Sequence, residues 1–154
     1  MCLDLGCGEG ELAERLATDL AAKKFRIFSR VDSIDLVSVK PHIQVGDIAH
    51  LSHSTESVGC AVFCLSLMGT NYWNFVGEAL RVLQVGGCLV IAEVTSRLVD
   101  AEGFAKVVRQ AGCAELLRED LAGYFTLLVF EKTRPYKGIQ GRPGILKGCV
   151  YKKR

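Results

Sequence analysis

Residues 1–12 read MCLDLGCGEGEL. Apolar residues flank Asp4 through Leu5, and glycines follow at 6, 8 and 10. This is a short buried strand running into a turn. Glycine there lets the main chain approach a ligand closely, because it adopts backbone conformations other residues avoid. From Glu9 to Lys24 the spacing predicts a helix, with Leu12, Leu16 and Leu20 on one face. Glu9 and Glu11 near its start suit the helix dipole. Free N–H groups at that start would face the turn.

Outward from this opening, strands and helices alternate. Residues 30–36 (RVDSIDL) read as a second strand ending at an acid, and Ile43–Val45 as a short third. Residues 58–67 (VGCAVFCLSL) form an apolar run typical of a central parallel strand. A helix is expected over Asn71–Leu83, stopped by QVGG, and a buried strand over 88–94 (CLVIAEV). Asp100 caps a helix running to Gln110, and Gly112 ends it. Residues 114–118 (AELLR) and 124–131 (YFTLLVFE) lack an intervening helix and predict an antiparallel hairpin at one edge. The expected fold is α/β: a doubly wound, mostly parallel, Rossmann-like sheet. It occupies residues 1–133, followed by a basic, irregular tail over 134–154.

The 154 residues suffice for one domain with a sizeable core. No apolar run reaches the length of a membrane span. The opening lacks the basic-then-apolar pattern of a signal peptide. Seven cysteines, an odd number without paired CxxC spacing, argue against a zinc site and read as reduced thiols, with Cys2, Cys60, Cys64 and Cys88 in apolar runs. The net charge of +2 hides an asymmetry: eight basic residues and no acid follow Glu131, leaving the body at −6. A basic tail on an acidic body suits a polyanion partner or, equally, a solvated terminus.

In such a sheet ligands sit at the carboxyl ends of the strands. A dinucleotide turn needs G-x-G-x-x-G, but the third glycine position here is Glu11, and Glu9 and Glu11 would face a pyrophosphate. No GK[ST] is present, which excludes a P-loop. DLGCG instead resembles the D/E-x-G-x-G signature of class I methyltransferases. Their S-adenosylmethionine carries an ammonium and a sulfonium but no phosphate, so Asp4 beside Gly6 and Gly8 is an asset. Asp35 ends the second strand, where an acid can accept both ribose hydroxyls. Asp47 follows the third strand, where such folds bind the adenine amino group, and Ile48 can pack on the adenine face. Asp32, inside the strand, is read as a turn or solvated residue.

The stretches AVFCLSLMGTN (61–71) and ALRVLQVGGCLVIAEVTSR (79–97) are more particular. With DLGCG, VGDIAHL, the FEKT ending and the closing CVYKKR, they resemble the nucleolar ribosomal-RNA-processing methyltransferase family over almost the whole chain. The resemblance implies N1-methylation of an adenine in large-subunit ribosomal RNA, within ribosome biogenesis in the nucleus and nucleolus. It implies cofactor positions at Gly6, Asp35, Asp47, Ile48 and Cys64, with Gly8 in the same turn. Cys64 reads both as a core thiol and as a strand-end wall of the pocket. That family has helices upstream of the first strand, which this sequence lacks. The segment between Gly8 and Asp35 is longer than usual for the family, which bears on the register of Asp35.

Methyl transfer to adenine N1 needs alignment more than a base, and the base must be unpaired or flipped. Ser66, Thr70 and Asn71, just past the fourth strand, are candidates to grip it, with Thr70–Asn71 also expected as a helix cap. Tyr72 or Trp73 is a candidate to stack on it, Trp73 equally a helix-packing residue. No catalytic residue stands out. In the tail, Tyr136 and Tyr151 interleave with the basic residues as RNA binders would. Protein partners in ribosome assembly or chromatin are compatible; a metal and a membrane are not expected. Rival readings are a non-catalytic S-adenosylmethionine-binding module in a chromatin or ribosome-assembly complex, a small-molecule methyltransferase and, least supported, a dinucleotide oxidoreductase.

Overall fold

Strand β1 (Cys2–Leu5) is buried at all four positions, as a central parallel strand must be. The structure, a computed structural model, describes residues 1–21 and 28–149; the side chains of 19–21 lie outside that description. After β1 come α1 (Glu11–Ala21), β2 (Val31–Asp35), β3 (Ile43–Val45), β4 (Val58–Cys64), α2 (Tyr72–Val82) and β5 (Leu83–Val94). A 3-10 turn (Thr95–Arg97), α3 (Ala101–Gln110), β6 (Cys113–Leu121) and β7 (Phe125–Lys132) complete the chain of elements. The sheet order is β3-β2-β1-β4-β5-β7-β6. β1 pairs in parallel with both β2 and β4, so the strand order reverses at β1. β7 runs antiparallel to β5 and to β6, which is the expected edge hairpin.

Several boundaries differ from expectation for local reasons. α1 begins at Glu11, because Gly6, Gly8 and Gly10 all take positive φ and prolong the turn. Lys24, and the side chain of Leu20, fall outside the described residues. β4 stops at Cys64, because Leu65 takes φ +56°. β5 starts at Leu83, so QVGG lies in extended chain that resumes pairing with β4 after a register shift between Val58 and Cys60. Asp100 caps α3 as expected, accepting from the Gly103 N–H at 2.7 Å.

One core runs through the sheet, with Leu3, Leu5, Phe63, Leu89, Ile91 and Phe130 fully buried against Leu80 and Phe104 of the helices. The alternate positions Cys88, Val90, Ala92 and Val94 of β5 are only half-buried, so one sheet face is more thickly covered. All seven cysteines are free; Cys2, Cys60 and Cys113 are buried, Cys88 is half-buried, and Cys64 and Cys149 are exposed. Asp32 is not solvated: it is buried and paired with Arg30 and His53.

Residues 134–149 hold no helix or strand, yet they are anchored. Tyr136 and Ile139 pack on the core, and Ile145 and Leu146 are buried. Gly141 lies against the indole of Trp73, where a side chain would collide. Leu146 bridges to Leu98, and the Cys149 N–H donates to the Met68 carbonyl at 2.8 Å. This segment is a strap that ends beside the loop after β4. Tyr151, Lys152, Lys153 and Arg154 lie outside the described residues.

Candidate functional site

The carboxyl ends of β1, β2 and β4 meet at the order reversal. The Gly6 and Cys7 N–H groups both donate to the Ile34 carbonyl, at 2.8 and 3.1 Å, which folds the glycine turn over the end of β2. Gly6 (φ +71°) has no room for a side chain: a Cβ would stand 2.5 Å from Ser66 Cβ. The Gly8 N–H donates to Asp35 Oδ2 at 2.8 Å, and the Val37 N–H to Oδ1 at 3.3 Å. Asp35 thus braces the turn from the neighbouring strand.

Asp4 is 2% exposed, and no described residue donates a hydrogen bond to its carboxylate. Burial, and secondarily the nearby Asp35 carboxylate, push its pKa up to about 6. A carboxylate held this way favours a cationic ligand, which would relieve both effects. Burial together with Asp4 and Glu93 also raises the Cys64 thiol. Cys64 is exposed at the end of β4, facing out of the core. The Ser66 hydroxyl is buried and has no partner, and it lies on the glycine turn.

On the β3 side the Gly46 N–H donates to the Asp35 carbonyl at 2.9 Å, so Asp47 and Ile48 follow directly from the end of β2. Asp47 closes a turn: Oδ1 accepts from the Ala49 N–H at 2.8 Å and Oδ2 lies 3.0 Å from His50 Nδ1. The Ala49 N–H, then His50, hold its carboxyl below the usual range. Ile48 is buried within the core cluster. Asp4, Gly6, Gly8, Asp35 and Ser66 therefore form one compact group, with Cys64 at one flank and Asp47–Ile48 at the other.

Thr70 and Asn71 are exposed in the loop after β4, and a Cβ on Gly148 of the strap would stand 3.6 Å from the Thr70 methyl. Asn71 occupies the cap position of α2, but its side chain makes no capping hydrogen bond. The stacking role read for Tyr72 is not available, and Trp73 takes its alternative role of helix packing. Tyr72 is 1% exposed, and its hydroxyl donates to the Arg142 carbonyl (3.4 Å) and accepts from the Leu146 N–H (3.3 Å). Trp73 stacks on Phe104 with ring centres 4.8 Å apart, and its indole N–H donates to the same carbonyl at 3.0 Å. Both rings are used to seat the strap. Tyr136 is likewise packed on the core, and burial raises its pKa.

Sequence reasoning missed Glu93 and Arg97. Glu93 is fully buried, accepts from the Leu67 N–H at 2.9 Å, and pairs with Arg97 Nη1 at 2.6 Å. The available signal was a glutamate inside the otherwise apolar run CLVIAEV. Among the described residues no cluster of three or more His, Cys, Asp or Glu is placed to hold a metal ion. No described helix is long and apolar enough to cross a membrane.

A sheet ordered β3-β2-β1-β4-β5-β7-β6, with a glycine turn after β1 and acids ending β2 and following β3, defines the Rossmann-like class I methyltransferase fold. Residues 1–154 match the model of a family described as hypothetical methyltransferase, and the chain belongs to that family. It is 39% identical over 153 residues to Ribosomal RNA-processing protein 8 of Caenorhabditis elegans, covering 98% of this chain and 41% of that one. It is 40% identical over 153 residues to the 25S rRNA (adenine(645)-N(1))-methyltransferase of Schizosaccharomyces pombe, covering 98% and 46%. The chain thus spans less than half the length of these relatives.

Among solved structures, the [4+2]-cyclase SpnF matches with TM-score 0.69 at 20% identity, covering 86% of this chain and 75% of that one. The Burkholderia thailandensis 1,6-didemethyltoxoflavin-N1-methyltransferase, solved with S-adenosylhomocysteine, matches with TM-score 0.64 at 17% identity, covering 86% and 71%. A cyclase and a methyltransferase on one fold illustrate that these likenesses speak to the fold alone.

Proposed function

We propose that this chain is the S-adenosylmethionine-binding domain of a ribosomal-RNA methyltransferase that methylates N1 of an adenine in large-subunit ribosomal RNA. The observation that carries the reading is the buried, donor-less Asp4 carboxylate beside a glycine turn braced by Asp35. The residues present fit the cofactor: an acid suited to a cation, a turn with open space beside Gly8, and an unpartnered Ser66 hydroxyl against Gly6. The relatives named for rRNA processing and rRNA adenine-N1 methylation supply the substrate class. Work of that kind belongs in the nucleolus, alongside ribosome-assembly or chromatin proteins.

When bound, S-adenosylmethionine supplies an electrophilic methyl group whose bond to sulfur breaks as adenine N1 donates its lone pair. N1 carries that lone pair at neutral pH, so no residue here need remove a proton first. Asp4 orients the cationic amino-acid end, directly or through water. Asp35 holds the turn and stands where ribose hydroxyls are accepted. Asp47 and Ile48 would hold the adenine end of the cofactor, and Cys64 with Ser66 would line the pocket at the end of β4. Thr70 and Asn71 grip the flipped target base. Catalysis is then mainly proximity and alignment.

The test has two parts. Calorimetric titration with S-adenosylmethionine, and separately with NAD, is expected to show binding of the first alone. Radiolabelled methyl transfer into ribosomal RNA lacking the modification is expected to place label on adenine N1. Binding of NAD overturns the cofactor reading. Binding of the methyl donor without transfer to RNA favours a cofactor-binding module.

A further inference from the structure

Glu93 is a fully buried carboxylate in the middle of the sheet. A buried ion pair is weak evidence for stability, since an apolar pair of similar size fills the same space as well or better. Its geometry points to another use. Glu93 Oε1 accepts from the Leu67 N–H (2.9 Å), while Arg97 Nη2 donates to the Leu67 carbonyl (2.6 Å). The pair is closed by Arg97 Nη1 on Glu93 Oε2 at 2.6 Å. Both main-chain groups of one loop residue are therefore held by a single ion pair.

Arg97 also reaches the strap. Its Nε donates to the Lys147 carbonyl (3.0 Å), and its own carbonyl accepts from the Lys147 N–H (2.9 Å). Two residues on, the Cys149 N–H holds the Met68 carbonyl. At the other end of the loop the Leu65 N–H donates to the Ala92 carbonyl at 2.8 Å. The loop so held begins with Leu65 at φ +56°, a conformation unfavourable for a branched residue. Its Ser66 lies against the glycine turn, and its Thr70 and Asn71 are exposed.

We propose that Glu93 and Arg97 are positioning residues for methyl transfer, fixing the base-gripping loop 65–71, with the strap end at Lys147–Cys149 as the third member of the clamp. This rests on the proposed function, in which that loop faces both cofactor and target base. Three donor directions of one guanidinium are used at once. Lysine keeps the charge but lacks the planar fork.

The experiment compares the full wild-type chain with Arg97→Lys and with the double variant Glu93→Gln/Arg97→Met, which leaves no unpaired buried charge. Methyl transfer to ribosomal RNA, S-adenosylmethionine affinity and amide hydrogen exchange are measured on each. Both variants should lose about 10–100-fold in kcat with little change in KM for RNA. Cofactor affinity should fall far less than kcat, by no more than about threefold, because the Asp4–Asp35 side is untouched and only Ser66 belongs to the loop. Amides 65–70 should exchange at least about tenfold faster while β4 and β5 stay protected. Wild-type kcat in the double variant, or a loss of cofactor affinity parallel to kcat, overturns the proposal. If the wild-type chain binds the cofactor yet methylates no RNA, the functional reading falls; unchanged loop exchange in the variants would separately remove the clamp.

Discussion

Asp4 departs from what stability alone would select, as the proposed cofactor role requires. Its pKa is pushed from 3.8 to about 6, chiefly by burial, so the folded state favours the neutral acid. Stability from this group is greatest below pH 3.8 and is lost as pH rises towards 6. Two units correspond to at most about 3 kcal/mol at neutral pH. Asp4→Asn should therefore raise the ligand-free melting temperature at pH 7 and leave it nearly unchanged at pH 4. A cationic ligand restores the charged form, so cofactor affinity should climb between pH 5 and 7 and level off. In Asp4→Asn that climb should vanish along with most of the affinity. An unchanged pH profile in calorimetry would remove Asp4 from the cofactor site. Gly6 is constrained from the opposite direction. Gly6→Ala forces a left-handed alanine against Ser66, and about 2–4 kcal/mol of stability should be lost. Chemical denaturation reads this directly.

At the scale of elements the strap matters most, because it joins the basic end of the chain to the loop after β4. Ile145 and Leu146 are buried and Tyr72 and Trp73 bond to it, so removing 134–154 would unseat core contacts as well as charge. The two roles separate by substitution. Leu146→Ala should cost about 2–5 kcal/mol through a cavity. Replacing Lys137, Arg142 and Lys147 by Gln should leave the melting temperature nearly unchanged. If these cations contact phosphates, the dependence of log RNA affinity on log salt should become shallower by about 2, at roughly 0.7 per single-strand contact. An unaltered salt slope would exclude the strap from RNA binding. This is also where sequence reading reached its limit. Asp4, Gly6, Gly8 and the Asp100 cap are local signals, set by residues within a few positions. Nothing near Tyr72 or Trp73 reveals that their polar atoms are claimed by residues 142 and 146, so their exposure could not be read. Glu93 was visible as an anomaly in an apolar strand, but its partner Leu67 lies a whole βα unit away.

At the scale of the molecule, the doubly wound, mostly parallel sheet with an antiparallel edge hairpin followed from alternation, since right-handed crossovers leave few other arrangements, whereas the order β3-β2-β1-β4-β5-β7-β6 is seen only in the structure. On the proposed function, one ligand touches elements from widely separated parts of the chain. The turn after β1, the ends of β2 and β3 and the loop after β4 all border the same crevice, and no one of them forms it alone. A ligand bridging them stabilises the native state by mass action and should raise the temperature of the whole unfolding transition. At one hundred times its Kd the gain is about 2.7 kcal/mol, or roughly 5–10 °C for a domain of this size. S-adenosylmethionine and S-adenosylhomocysteine should both produce this shift, and NAD at equal concentration should not. The shift should shrink in Asp4→Asn and largely survive in Arg97→Lys, because the first removes the carboxylate proposed to meet the cofactor and the second reaches the cofactor side only through Ser66. Equal shifts in all three proteins would mean that the ligand binds elsewhere, and that the crevice at the head of β1 is not the methyl-donor site.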